Sequence, residues 1–159
     1  MEVVLLKAPG LTGGSRKSWS ALSNAVLPQE SDISHVCKHA FNNATLWRSI
    51  GSSSYVLGVV DERGQGLRGL LIMHIGGNMS TARIEFVCSG DTFRGSGIRA
   101  MVGRKLLRAA ETIAASEGCS KLSLTSVVPG HGIYLNSGYT FLNEDDYPDF
   151  SGPMVKRIK

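Results

Sequence analysis

Between Ile84 and Gly118 the sequence passes through three kinds of chain. An apolar run, Ile84-Glu85-Phe86-Val87-Cys88-Ser89, enters a Gly- and Arg-rich turn, Arg94-Gly95-Ser96-Gly97-Ile98-Arg99, which leads into an Ala- and Leu-rich stretch ending at Gly118. The first reads as a strand and the last as a helix, in which Val102, Leu106, Ala110, Ile113 and Ala114 share one apolar face. A strand followed by so long a helix can only return to its sheet by a crossover. The next apolar run, Lys121 to Val127, is therefore expected to lie parallel to the first. The turn itself is an anion cradle in outline, because unpaired N–H groups converge at a helix start and the helix dipole favours negative charge there.

The remaining pattern surrounds this unit. Met1 to Lys7 reads as a short strand. Helices are expected at Ser15 to Leu27 and from Ser31-Asp32 to Phe41. Tyr55 to Val60, Leu67 to Ile75 and Thr81 to Ser89 are three strands separated by turn-rich segments, an antiparallel meander. After Pro129-Gly130 come a short helix at Gly132 to Ser137 and a strand at Tyr139 to Leu142. An acidic loop then leads to a last strand, Met154 to Ile158. Residues 1–159 are expected to form one α/β domain with a mixed, mostly antiparallel sheet of six or seven strands flanked by helices.

Charge is concentrated in the same unit. Between Thr92 and Lys121 lie Arg94, Arg99, Arg104, Lys105, Arg108 and Lys121 against Glu111 and Glu117, an excess equal to the whole net charge of +4. Such a cluster suits a phosphate-bearing ligand; nucleic acid is the weaker alternative, since no aromatic residues interleave with the basic ones. No apolar run is long enough to span a bilayer, and no signal-peptide pattern opens the chain. Cys37, Cys88 and Cys119 are an odd number without C-x-x-C spacing. That argues against a disulfide scaffold and a zinc site, and for a reducing, cytoplasmic setting.

The order strand, Arg/Gly turn, helix, strand and Ile133-Tyr134-Leu135-Asn136-Ser137-Gly138-Tyr139 resembles the GCN5-related N-acetyltransferase (GNAT) superfamily. The resemblance runs from about Tyr55 to Lys159. The C-terminal third is most similar to the acetyltransferase domain of the Elongator catalytic subunit, through Ala110-Glu111-Thr112-Ile113-Ala114, Ser126-Val127-Val128 and Gly152-Pro153-Met154-Val155-Lys156. The resemblance implies a sheet splayed at its centre, acetyl-CoA as co-substrate, no metal, and acetyl transfer to a primary amine by direct attack in a ternary complex. Two rivals stand beside it: an acyl-CoA sensor without turnover, motivated by the altered glycine pattern at Met101 or Arg99, and an RNA-associated acetyltransferase of Elongator type, suggested by the Elongator likeness and the basic cluster. No membrane partner is expected, and a homodimer is left open.

The family pattern Arg/Gln-x-x-Gly-x-Gly/Ala fits the turn in two registers. One runs from Arg94 through Gly97 and meets Arg99 where a Gly belongs. The other, preferred because it brings the helix length and the Ala-Glu-x-Ile-Ala segment into place, closes at Gly103 and has Met101 where a Gly belongs. In that register the main chain of Arg99, Ala100, Met101, Val102, Gly103 and Arg104 would take the diphosphate, and that of Phe86, Val87 and Cys88 the pantetheine.

Tyr134 is the implied general acid for the departing thiolate. Glu85 is the candidate base, its pKa expected to rise if it is desolvated. By strand alternation Glu85 would share a face with Val87, opposite Ile84 and Phe86. His131 is a second base candidate. Glu144, Asp145 and Asp146 in the acidic loop would draw a cationic amine. Cys88 lacks a basic partner, which argues against a covalent cysteine intermediate.

Overall fold

The computed structural model describes residues 2–8, 43–60, 67–76, 80–89, 98–126, 131–142 and 152–158. They form β1 (Glu2–Lys7), α1 (Asn43–Ser52), β2 (Tyr55–Val60), β3 (Leu67–His74), β4 (Thr81–Ser89), α2 (Ile98–Ser116), β5 (Lys121–Ser126), α3 (His131–Asn136), β6 (Thr140–Phe141) and β7 (Gly152–Arg157). The expected helices at 15–27 and 31–41 lie outside the described residues.

One seven-stranded sheet runs β1-β2-β3-β4-β5-β7-β6. Every neighbouring pair is antiparallel except β4 and β5, which the α2 crossover makes parallel. That agrees with the expected mixed sheet. The α2 stripe is as the spacing required: Val102, Leu106, Ala110 and Ala114 are fully buried and Ile113 packs beside them. The core under α2 collects residues from both ends of the sheet, including Leu57, Leu71 and Ile84 on one side and Leu122, Tyr139 and Met154 on the other. A second core on the opposite face is built from Leu6, Ile50, Val56, Leu67, Leu70, Ile72, Phe86 and Cys88.

Helix α2 is closed by Gly118, two residues past Ser116, as its sequence suggested. The N–H of Cys119 bonds the Ala114 carbonyl at 2.9 Å and that of Gly118 bonds Ala115 at 3.1 Å, with Gly118 at φ 90°. This is a Schellman closure, which glycine allows at least cost.

Helix α1 is the element the sequence reading missed. Asn, Ser and Gly make Asn43–Ser52 a weak helix former. Tertiary contacts supply what propensity lacks. Ile50 is buried in the second core, and the Lys7 ammonium donates to the Ile50 and Gly51 carbonyls at 2.8 and 3.1 Å, near the negative end of the helix dipole.

Candidate active site at the sheet seam

The ladder between β4 and β5 is short. Thr81 pairs with Lys121, Ala82 with Leu122 and Arg83 with Ser123, and there it stops, although β4 runs on to Ser89 and β5 to Ser126. Where the strands part, a cleft of about 400 Å³ opens. Arg83, Ile84 and Glu85 line it from β4, Ser123, Leu124 and Thr125 from β5, and Leu142 and Pro153 border it.

A β-bulge sits at the mouth of this cleft. Ile72 pairs with Phe86 and Met73 with Ile84, so Glu85 is the extra residue on β4. The bulge breaks the expected alternation. Ile84 joins the α2-side core and Val87 packs against it, whereas Phe86 joins the opposite core. Glu85 reaches Ser49 of α1 on that opposite side, so it shares a face with Phe86 and not with Val87.

Two donors meet one oxygen of Glu85. The Ser49 hydroxyl donates to Oε2 at 2.6 Å, and His74 Nε2 lies in close hydrogen-bond contact with the same atom. A carboxylate oxygen accepts, so Nε2 carries the hydrogen. Burial alone would raise this carboxyl. The Ser49 and His74 hydrogen bonds, with the charges of His74 and Arg83, outweigh burial and hold it below the usual glutamate value. The expected upward shift is thereby corrected. Partial desolvation is present, but well-placed donors favour the charged form more.

Sequence reasoning found Glu85 and missed its two partners. His74 was legible in part, because a turn expected at Gly76-Gly77-Asn78 folds the third strand of the meander back on the second, where His74 pairs with Arg83. Ser49 was not, since it depends on α1.

Tyr134 lies on α3, half-buried against the α2-side core. Burial pushes its phenol up, so it stays neutral and able to donate at ordinary pH. Its position is fixed by a second Schellman closure. The N–H of Tyr139 bonds the Tyr134 carbonyl at 3.0 Å, that of Gly138 bonds Leu135 at 3.1 Å, and Gly138 has φ 94°. The two tyrosine rings meet edge to face, 6.2 Å between centroids.

The start of α2 bears on the turn register. The helix begins at Ile98, so the N–H groups of Val102, Gly103 and Arg104 are donors within it, and those of Ile98, Arg99 and Ala100 are left over. Met101 is likewise inside the first turns, its side chain partly exposed. Gly103 has a steric role instead. A Cβ there would meet the tip of the Ile133 side chain of α3, which would have to turn aside, so its absence lets Ile133 pack closely on α2.

Phe86, Val87 and Cys88 stand on β4 beyond the end of its ladder with β5. Cys88 is buried and disulfide-bonded, while Cys119 is buried and keeps its thiol. Cys88 thus has no thiol to offer as a nucleophile. His131 opens α3, its side chain outside the described residues, and Glu144, Asp145 and Asp146 also lie outside them. Among the described residues no group of three or more His, Cys, Asp and Glu could hold a metal ion, and no helix is long and apolar enough to cross a membrane.

Solved structures that superimpose on the chain include acetyltransferases. Tetrahymena GCN5 superimposes with a TM-score of 0.69 at 9% identity, over 100% of this chain and 97% of its own. An aminoglycoside 6'-acetyltransferase of type Ii gives 0.63 at 14% identity, over 82% and 90%. N-acetylglutamate synthase from Neisseria gonorrhoeae, solved with coenzyme A and N-acetylglutamate, gives 0.58 at 17%, over 100% of this chain and 36% of its own.

The chain has the GNAT fold.

No protein-family model and no curated protein sequence matches it significantly. At these identities the likeness is one of fold, and what the GNAT-fold chain does must be argued from its own residues.

Proposed function

We propose that this chain transfers an acetyl group from acetyl-CoA to a primary amine by direct attack in a ternary complex. The observation that carries the reading is the β4–β5 ladder ending at Arg83 and Ser123, which opens a cleft bordered by an ionised carboxylate. An amide-rich pantetheine can lie along β4 at Phe86, Val87 and Cys88, past the end of the ladder with β5. The leftover amides of Ile98, Arg99 and Ala100 suit the diphosphate. Arg104 is exposed one turn further on and adds positive charge.

Tyr134 gives its proton to the departing thiolate, and Glu85 receives that of the amine. The acceptor is a cationic amine drawn by Glu144, Asp145 and Asp146. Calorimetry with CoA and thiol release across a panel of amines test the reading. Absence of CoA binding sinks it, and tight binding without release for any amine leaves an acyl-CoA sensor. Exposed Arg104, Arg108 and Lys121 support association with RNA, which salt-dependent tRNA retention would reveal.

A further inference from the structure

The contact that nothing in the fold itself demands is the one between Glu85, His74 and Ser49. Three separate elements meet there: the bulge of β4, the last residue of β3, and α1. A glutamate on a strand beside a cleft would ordinarily turn both oxygens to water. Here Ser49, itself 4% exposed, and His74 both address Oε2, and among the described residues no hydrogen bond goes to Oε1. The carboxylate also lines the cleft.

We propose that His74 and Ser49 clamp Glu85 so that only Oε1 takes part in the chemistry, and that it accepts the proton of the attacking nitrogen after the nitrogen–carbon bond has formed. This rests on the acetyl-transfer reading above. His74 and Ser49 are positioning residues acting through Glu85. A carboxylate so strongly supplied with donors is too weak a base to strip a free alkylammonium. It needs a more acidic proton.

Attack provides one. The neutral amine's lone pair forms the bond to the acyl carbon, and the carbonyl π pair moves to oxygen. The nitrogen becomes cationic and far more acidic than before. Its proton passes to Oε1, the carbonyl re-forms, and the carbon–sulfur bond breaks with its electron pair on sulfur. The thiolate takes a proton from Tyr134. Glu85 then loses a proton to solvent and Tyr134 recovers one, so amine and thioester become amide and thiol.

The charged and titratable groups around the clamp, among the described residues, are few. Arg83 pairs with His74 across the β3–β4 ladder and stands two residues from Glu85. Arg48 on α1 is exposed, and the Lys7 ammonium is engaged with α1 carbonyls. β2 contributes Tyr55, which is bonded to Glu117 and packs in the α2-side core.

Two measurements test the clamp. In the carboxyl ¹³C NMR spectrum of the full chain, with Glu85 assigned by its loss in Glu85→Gln, the wild-type carboxyl titrates below the ordinary glutamate range. In His74→Ala and Ser49→Ala it moves up, and in His74→Gln, which keeps an N–H donor, it moves less. In steady-state kinetics with primary amines of graded basicity, the acid limb of kcat/KM follows the basicity of each amine. His74→Ala lowers kcat about tenfold with KM little changed, and Glu85→Gln lowers it about a hundredfold.

A Glu85 signal identical in wild type and both alanine variants overturns the proposal. So does an acid limb fixed at one pH for every amine. A wild type that transfers to no amine, with a Glu85 signal still responding to His74 and Ser49, overturns the acetyl-transfer reading instead and leaves the clamp standing.

Discussion

The two parts of the sheet on either side of the seam are built differently. Strands β1 to β4 carry a core on each face, and every residue of β2 is buried. Strands β5, β7 and β6 carry a core, among the described residues, on the α2 face only. β6 is two residues long, and β7 alternates little beyond one buried methionine, Met154. A thick, doubly packed half thus presents β4 to a thinner half, and three residue pairs join them.

Helix α2 is what keeps the halves together. Glu117, the residue after its end, accepts a hydrogen bond from Tyr55 of β2 at 2.8 Å, and its Glu111 pairs with Lys156 of β7. With the two parts tied on one face, the strands can separate on the other without the molecule coming apart. The cleft is therefore a property of unequal packing, and the residues that line it are placed by the thick half.

The most damaging way to break this arrangement is through the shared core. Leu106→Ala, at a fully buried α2 position, is expected to cost about 3 kcal/mol. Hydrogen exchange should show protection falling in both halves together; a fall confined to β1–β4 would show that α2 does not join them. Gly103→Val acts on one side. It forces Ile133 away from α2 at a cost of about 2 kcal/mol, with the near-UV signal of Tyr134 and Tyr139 changing while β1–β4 keep their protection.

Tyr55→Phe removes the tie to the thick half and should cost about 1 kcal/mol in urea unfolding. It also has a pH signature. Burial first, then the hydrogen bond and charge of Glu117, push the Tyr55 phenol up to about 12. The stability this represents is fully present below the unfolded tyrosine value of about 10 and is lost as pH rises through about 12. Tyr55→Phe should lack that alkaline loss.

Glu85 gives the opposite dependence. Its native pKa is depressed, so its contribution is present above the unfolded glutamate value of about 4.3 and disappears as pH falls through the lower native one. Glu85→Gln should flatten that acid limb of an unfolding titration. The smallest effect is expected for Glu111→Gln, about 0.5 kcal/mol, because the pair with Lys156 is partly exposed; a loss seen only in β5–β7 protection would place the tie as described.

Most of the sheet could be read from local pattern. Alternating apolar runs marked all seven strands to within a few residues, and the 3.6-residue stripe of α2 named the face that is buried. The parallel pairing of β4 and β5 followed from the crossover between them. The start of α2 was less legible. Arg99 to Gly103 suit a turn or a helix equally well, and neighbouring Ile133 decides that Gly103 is a packing position. For Tyr134 the short helix was visible, but not the Tyr139 ring that meets it.

What the sequence by itself determined is thus the list of elements, their order, the buried face of α2 and the presence of Glu85 on the strand beside the seam. Those depend on spacing along the chain, which periodicity and glycine placement record. Only the tertiary structure decided which way Glu85 turns, what holds it and where the ladder ends. A bulge shifts register by one residue without a mark in composition. Ser49 and His74 reach the same oxygen only because α1, weak as a helix on its own, is held against the sheet by Ile50 and Lys7.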